Sequence, residues 1–441
     1  MPSAGRGHFQ FHLPSSLVFA DLGHAMMLYS RKRLSRILCL DDFEAEARKY
    51  LPRAIFGYIS GAAETNFSFE DNRAVFKELA FVPRILRDVG KVDTSVQLWG
   101  DTYASPFGIA PMGLSAISAY RGDHVLARAA AGGNLPMIMS GSSLTRLEDI
   151  AGIGGNVWFQ AYLPGRQDQI DALIRRVMDA GYGKLVITVD TPVAANRENN
   201  IRAGFSTPLR PTLKLMLDGL THPRWTIGTF LRTVCKHGIP HFENNYATRG
   251  VPIISRNVLR DFSDRGHLNW EHLKRIRELW PGKLIVKGIL DPEDARIAVD
   301  HGVDAIIVSN HGGRQLDGVL SPLRMLPEVV EACPSVPVML DSGIRRGSDV
   351  LKALALGARL VFVGRPMGYA AAIGGRDGVD HALDLFSAEI RRNIALLGAT
   401  DLAGITPQHL RTLSADSHFS RYVGSHGPWR APKPGQPGPS A

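Results

Sequence analysis

Apolar residues gather in eight short runs along the middle of the chain, at 106–110, 136–140, 157–161, 184–190, 283–287, 305–309, 336–341 and 360–364. None alternates strictly between apolar and polar positions, which is the pattern of strands buried on both faces. A turn and a segment of helical periodicity follow each run. Helices are predicted over 122–132, 146–150, 167–181, 270–280, 292–302, 322–332, 348–357 and 379–396. Gly181, Gly302 and Gly357 close three of them, where a C-terminal cap wants positive φ. Eight strand–helix units predict an α/β protein built as a (β/α)8 barrel. The competitor is an open doubly wound sheet, but no GxGxxG follows an early strand. Residues 40–101 begin helical and precede the first strand, so they belong outside the barrel wall. The barrel domain is expected over 40–407, between an extension at 1–39 and a tail at 408–441.

One connection breaks the rhythm. After Asp190 the next helix is expected only near Trp270, and so long a loop is usually functional or mobile. Across 199–240 it carries six Lys or Arg against one acid, Asp218. Ile227, Phe230, Leu231 and Val234 recur at helical spacing, with Arg232 and Lys236 on the other side. That predicts a short basic amphipathic helix suited to an anionic bilayer surface, the alternative being a stripe packed on the barrel. The chain ends differ again. Residues 7–20 are apolar, but Pro14 interrupts them and no convincing cleavage site follows, so a disordered extension is expected rather than an export signal. The five prolines of 426–441 predict a disordered tail. The uncharged run 102–120 holds Pro106, Gly108, Pro111 and Gly113, which suit a strand and loop rather than a spanning helix.

Composition adds little to this picture except in charge. A net charge of +9 suits an anionic ligand or surface without choosing between them; nucleic acid is not an expected partner. Cys39, Cys235 and Cys333 form no CxxC pair and no zinc spacing, against a disulfide scaffold and for a reducing compartment.

Chemistry in a barrel of this kind sits at the C-terminal strand ends. Polar groups fall at every one: Pro111-Met112-Gly113, Ser140, Gln160 with Tyr162, Thr188 with Asp190 and nearby Arg197, Lys287, Ser309 through Gln315, Asp341 through Gly347, and Gly364-Arg365. The last two ends supply Gly343, Arg345, Gly364 and Arg365 where barrels hold phosphate. His311, inside His-Gly-Gly-Arg, is the candidate acid–base group, and Asp190 the carboxylate to orient it. Arg197 and Arg314 make a two-guanidinium clamp for a small carboxylate. Lys287 suits either a Schiff base or a positive charge beside an anionic cofactor ring. There is no HxH, HExxH or acidic cluster at these ends, so no metal is expected.

The run Ser309-Asn310-His311-Gly312-Gly313-Arg314-Gln315-Leu316-Asp317 resembles the active-site signature of FMN-dependent L-2-hydroxy acid oxidases and dehydrogenases. Supporting pieces are Thr188-Val189-Asp190-Thr191-Pro192, Val286-Lys287-Gly288-Ile289, Asp341 through Gly347, and Gly364-Arg365. The segment 217–225 is similar to one in the membrane-bound mandelate and lactate dehydrogenases. The resemblance implies FMN as cofactor. His311 would take a proton from the substrate and Asp190 would stabilise the imidazolium. Arg197, Arg314 and Tyr58 would bind the carboxylate, and Tyr162 the reacting oxygen. Lys287 would stand at the flavin N1/O2 edge. Pro111, Met112 and Gly113 would face the flavin, with Ser140, Gln160, Thr188 and Ser309 on its polar atoms. Asp341 would hold the ribityl chain, and Gly343, Arg345, Gly364 and Arg365 the phosphate.

The same resemblance implies an L-2-hydroxy acid substrate, electrons passed to a membrane quinone or similar acceptor, and a homotetramer peripheral on the cytoplasmic face of the membrane. A soluble oxidase releasing hydrogen peroxide, and a barrel that has lost catalysis and serves as a scaffold, are the competing functions. Gly113 and Ser142 are small where relatives carry larger residues, so room for a bulky or aryl side chain is expected.

Overall fold

The computed structural model describes residues 30–206, 209–210, 212–255, 265–414 and 417–423. The apolar stretch at 7–20 and the proline-rich tail at 426–441 lie outside them. Eight strands close a parallel barrel in sequence order: β1 (Phe107–Ile109), β2 (Met137–Ser140), β3 (Val157–Ala161), β4 (Lys184–Thr188), β5 (Lys283–Ile289), β6 (Ala305–Val308), β7 (Val338–Leu340) and β8 (Val361–Val363). The ring shuts where Val361–Val363 pairs with Phe107–Ile109. Seven of the eight predicted runs contain their strand and the eighth, 283–287, is outrun by two residues at Ile289, because strands buried on both faces write a plain apolar signal.

Two apolar layers hold the barrel. Inside it, Ile138, Trp158, Val186, Ile285, Ile307, Met339 and Phe362 pack together, with Trp158 edge-on to Phe362 at 5.3 Å. The hairpin of Val96–Leu98 and Asp101–Tyr103 adds Val96, Leu98 and Tyr103 to this cluster. Outside, the strands' other faces meet the helices, whose periodicity matches the expected spans closely, as in Gly122–Gly132 and Pro322–Ala332. The last expected helix starts earlier: Arg365–Leu396 is one element kinked at Gly375.

Described residues outside 40–407 also pack against the barrel. Ser30–Leu34 is helical, and Leu34 and Ile37 are buried in the outer core. Leu410–Thr412 pairs antiparallel with Leu79–Phe81, and Phe419 is buried too. These pieces are too short to carry a periodicity of their own, and only tertiary pairing stabilises them.

The long connection after β4 is not structureless. It carries helices Glu198–Ala203, Leu213–Thr221 and Pro223–Trp225, a π-helical stretch Thr226–Leu231, and helix Arg232–His237. The expected amphipathic stripe is altered by the π turn, which widens the spacing. Ile227, Phe230 and Leu231 are exposed, Val234 is half-buried, and Arg232 lies 4.1 Å over the Tyr120 ring. A stronger stripe sits on helix Leu213–Thr221: Leu213, Met216, Leu217 and Leu220 follow i, i+3, i+4, i+7 and are 71%, 61%, 55% and 73% exposed. Among the described residues no helix is long and apolar enough to cross a membrane.

Candidate active site

A glycine shapes the centre of the strand-end face. The register between β5 and β6 shifts between Lys287 and Ile289, and Gly288 takes a φ of 108°. A Cβ there would fall 2.7 Å from the Asp190 side chain, so glycine alone lets this bulge stand against the end of β4. After β6 the backbone of His311, Gly312 and Gly313 is left-handed, with φ of 58°, 67° and 73°. For a non-glycine residue such as His311 this is costly, of the order of 1–3 kcal/mol. The turn is pinned by its amides: His311 N–H donates to Ser309 Oγ at 3.0 Å, Gly312 N–H to Ser342 Oγ at 3.0 Å and Gly313 N–H to Asn310 Oδ1 at 3.1 Å. Asn310 exchanges two hydrogen bonds with Asn72, 2.8 and 2.9 Å long.

This strained turn brings the imidazole between two partners. His311 Nδ1 lies 2.9 Å from Asp190 Oδ1, and Nε2 lies 3.4 Å from the Tyr162 hydroxyl. Burial opposes ionisation of Asp190, but the facing imidazole and then Lys287 outweigh it and hold the carboxyl below its usual range. Burial pulls His311 down more than Asp190 lifts it, so the resting ring is neutral and able to accept a proton. Burial, then the charge of Asp190, raises the Tyr162 phenol and keeps it protonated as a donor.

Two guanidinia flank this group. Arg197 donates to the Arg314 carbonyl at 3.0 Å and to Gln315 Oε1 at 2.6 Å; Arg314 donates to the carbonyls of Ile59 and Gly61 at 3.2 and 2.6 Å. Burial, then repulsion from Arg197, lowers Arg314 to about 10, still charged at neutral pH. The Arg314 guanidinium sits 5.2 Å over the Tyr58 ring, and Tyr58 donates to the Gly113 carbonyl at 3.4 Å. A Cβ on Gly113 would meet Ser142 Cβ at 3.1 Å and the Tyr58 hydroxyl at 3.4 Å. These three residues therefore face one another across a gap that alanine would narrow.

The remaining strand ends form a cradle beside them. Buried Lys287 Nζ lies 2.9 Å from Asp341 Oδ2 and donates to Ser309 Oγ at 2.8 Å. Gln160 accepts at Oε1 from Ser140 Oγ (3.2 Å) and Gly141 N–H (3.3 Å), which leaves its buried Nε2 without a partner; buried Thr188 Oγ1 has none either. A Cβ on Gly343 would strike the Asn72 carbonyl at 1.8 Å. Met112 lies against Gly364 and Gly368, with Pro111 before it. Arg345 is buried, with Asp41 at 3.6 Å. Arg365 is lowered to about 9 by burial and then by Arg314. Its donors go to the carbonyls of Ile59, Gly61 and Gly312, and it feels the charges of both Arg314 and Arg345.

The cradle's chemistry fits FMN. Orphaned buried donors on Gln160 and Thr188 suit a heteroaromatic edge, because an unmet buried polar group costs about 1–3 kcal/mol. Two guanidinia near one strand-end corner, Arg345 and Arg365, suit a phosphate. No cluster of His, Cys, Asp or Glu among the described residues could hold a metal ion. Phe205 and Arg265 were not singled out in the sequence, and Gly288 was quoted there only within Val286-Lys287-Gly288-Ile289, without its structural role. Gly288 makes the bulge, Phe205 packs on Tyr58 with ring centres 4.6 Å apart, and the Arg265 guanidinium lies 5.2 Å over the Tyr162 ring. Gly288 had a signal, a glycine within a strand; the other two come from the long connection, where spacing carries no register.

Known proteins share this architecture. The FMN-dependent dehydrogenase family model matches residues 47–412. (S)-Mandelate dehydrogenase of Pseudomonas putida is 37% identical over 373 residues, 84% of this chain and 93% of that protein. An L-lactate dehydrogenase of Xanthomonas campestris pv. campestris is 38% identical over 386 residues, 86% of this chain and 98% of its own length. A crystal structure of a monotopic membrane protein, (S)-mandelate dehydrogenase, superimposes with a TM-score of 0.78 at 36% identity, covering 85% of this chain and 99% of that one. With a family model spanning most of the barrel and relatives aligned along nearly their whole lengths, the chain belongs to the FMN-dependent dehydrogenases.

Proposed function

We propose that the chain oxidises an L-2-hydroxy acid of lactate or mandelate type to the 2-oxo acid and passes the electrons to a membrane quinone or a similar acceptor. The observation that carries this reading is the neutral His311, held by Asp190 and set beside Tyr162, next to the guanidinia of Arg197 and Arg314. The two arginines and Tyr58 hold the substrate carboxylate. Tyr162 donates a hydrogen bond to the substrate oxygen. His311 takes a proton from the substrate, and Asp190 stabilises the imidazolium that results. FMN supplies the acceptor for the two electrons that leave. Pro111, Met112, Gly113, Ser140, Gln160, Thr188, Lys287, Ser309 and Asp341 hold its ring and ribityl chain, with Gly343, Arg345, Gly364 and Arg365 on its phosphate. The gap at Gly113, Ser142 and Tyr58 favours an aryl or other bulky side chain.

The reading includes a place for the enzyme, peripheral on the cytoplasmic face of a membrane. The exposed stripe of Leu213, Met216, Leu217 and Leu220 supports it, since contiguous exposed apolar side chains mark interaction surfaces. A homotetramer belongs to the same reading, and light scattering of purified protein checks it. The function itself is tested by anaerobic stopped-flow reduction of the bound flavin with lactate, glycolate, mandelate and long-chain 2-hydroxy acids. Rapid reduction by the L enantiomer of at least one is expected; reduction by none would refute the activity. Oxygen uptake matching dye-linked turnover would replace the quinone by oxygen.

A further inference from the structure

A second charged pocket lies on the outer wall of the barrel. It is a cavity of about 780 Å³ between helix Gly122–Gly132, helix Leu147–Ala151 and Arg376 of the kinked helix. Arg128 and His124, four apart on helix Gly122–Gly132, line one side together with Arg121, the residue that caps the helix. The acids in the lining are Glu148 and Asp149. Glu148 is engaged by Arg176 at 2.7 Å and Arg146 at 3.3 Å, and Arg376 by Asp380 at 3.2 Å. Arg121 and Arg128 have no carboxylate partner among the described residues; the Arg121 guanidinium lies 2.5 Å from His124 Nε2 instead. His124 is only 7% exposed, and its Nδ1 has no hydrogen-bond partner. Burial, then Arg121, pulls His124 down to about 4; Arg128 and His237 add to this and Asp149 opposes it.

Beside the pocket, Tyr120 meets residues of the long connection. The hydroxyl of Tyr120, which precedes Arg121, lies 3.0 Å from His237 Nε2, and Arg232 stacks on its ring. Arg232, Lys236 and His237 thus extend the basic surface along the helix that ends the exposed apolar segment. Guanidinium forks match the unesterified oxygens of a phosphate, and a cavity of this size leaves room for the group esterified to it.

We propose that this pocket is a phosphate-recognition site, filled by the headgroup of an anionic phospholipid when the apolar helix Leu213–Thr221 lies on a bilayer. The lipid source rests on the membrane reading above; the phosphate chemistry rests on Arg121, His124 and Arg128.

The test uses the full-length holoenzyme and the double variant Arg121→Asn/Arg128→Gln, asparagine being tolerated at the left-handed φ of 52° that Arg121 adopts. Lys77→Gln/Lys91→Gln removes the same charge outside the pocket. Flotation is compared on vesicles of phosphatidylcholine alone and with phosphatidylglycerol added. The pocket variant is expected to lose about tenfold or more in binding to phosphatidylglycerol vesicles, from two basic contacts. Binding to neutral vesicles, dye-linked activity and the control variant should change little. In parallel, inorganic phosphate is compared with chloride at equal ionic strength for its effect on Tm; phosphate should raise the wild type and not the pocket variant. If the wild type binds no vesicle, the membrane reading falls while a wild-type-only phosphate effect still supports the pocket with free phosphate as its source. Equal flotation of variant and wild type, with no phosphate effect on Tm, overturns the proposal.

Discussion

The strand ends and the connection after β4 invert the usual rule of burial in opposite ways. At the strand ends, Lys287, Asp341, Arg314 and His311 are ionisable groups withdrawn from water, each held by a named partner. In the connection, Leu213, Met216, Leu217 and Leu220 are apolar groups left exposed. Either departure costs stability: a buried charge loses hydration, and an exposed apolar stripe forfeits burial worth about 1.5–3 kcal/mol for each large side chain. The comparison teaches that the two regions do different work, chemistry in one and surface attachment in the other, and that each should fail separately.

The sharpest break is at the base. His311→Gln should retain FMN, since the imidazole is not assigned to the phosphate, and slow flavin reduction by at least about 10²-fold. Near wild-type reduction in stopped flow would remove His311 from its role. Arg314→Lys keeps the charge and loses the fork, so kcat/KM for the acid should fall about 10- to 100-fold through lost charge-assisted hydrogen bonds. Removing both Arg314 and Arg197 without changing the preference for acids over neutral alcohols would end the clamp. The pH profile sharpens the same site. The protonated imidazole is inactive, and burial sets His311 below its ordinary value, so kcat/KM should fall only as the pH drops below about 6.5. An acid limb above pH 7 would contradict the neutral resting ring. The smallest effect is expected from Gly113→Ala, which narrows the gap to Ser142 and Tyr58. It should disfavour mandelate relative to lactate by a few-fold, up to about tenfold, for one methyl group; equal losses on both would move the side-chain pocket elsewhere.

Much of the barrel was legible because its signals are local. Strands buried on both faces appear as apolar runs, and the strand-end residues His311, Arg314, Asp190 and Lys287 follow within a few positions of them. Their convergence needs only closure of the ring. What escaped depends on contacts between distant segments. The bulge at Gly288 exists because Asp190 arrives beside it, and Arg265 reaches the Tyr162 ring from the far end of a long connection. The pairing of Leu410–Thr412 with Leu79–Phe81 likewise has no local mark. The exposed stripe expected at 227–234 is found at Ile227, Phe230 and Leu231 but not at half-buried Val234, for another reason. The residues from Ile227 to Val234 show α-helical spacing, but the π turn at Thr226–Leu231 offsets their faces. Leu213, Met216, Leu217 and Leu220 had the same spacing in plain view, and it was a regular helix that displayed it.

The separation of chemistry from attachment is tested most directly in one protein, with Leu213, Met216, Leu217 and Leu220 all replaced by serine. Its flavin reduction and its flotation with phosphatidylglycerol vesicles are measured on the same preparation. The account predicts that reduction by the best 2-hydroxy acid stays within about threefold of wild type, because none of the four touches the site, while flotation is lost as their burial in the bilayer is removed. Collapse of flavin reduction, or flotation equal to that of the wild type, would contradict it.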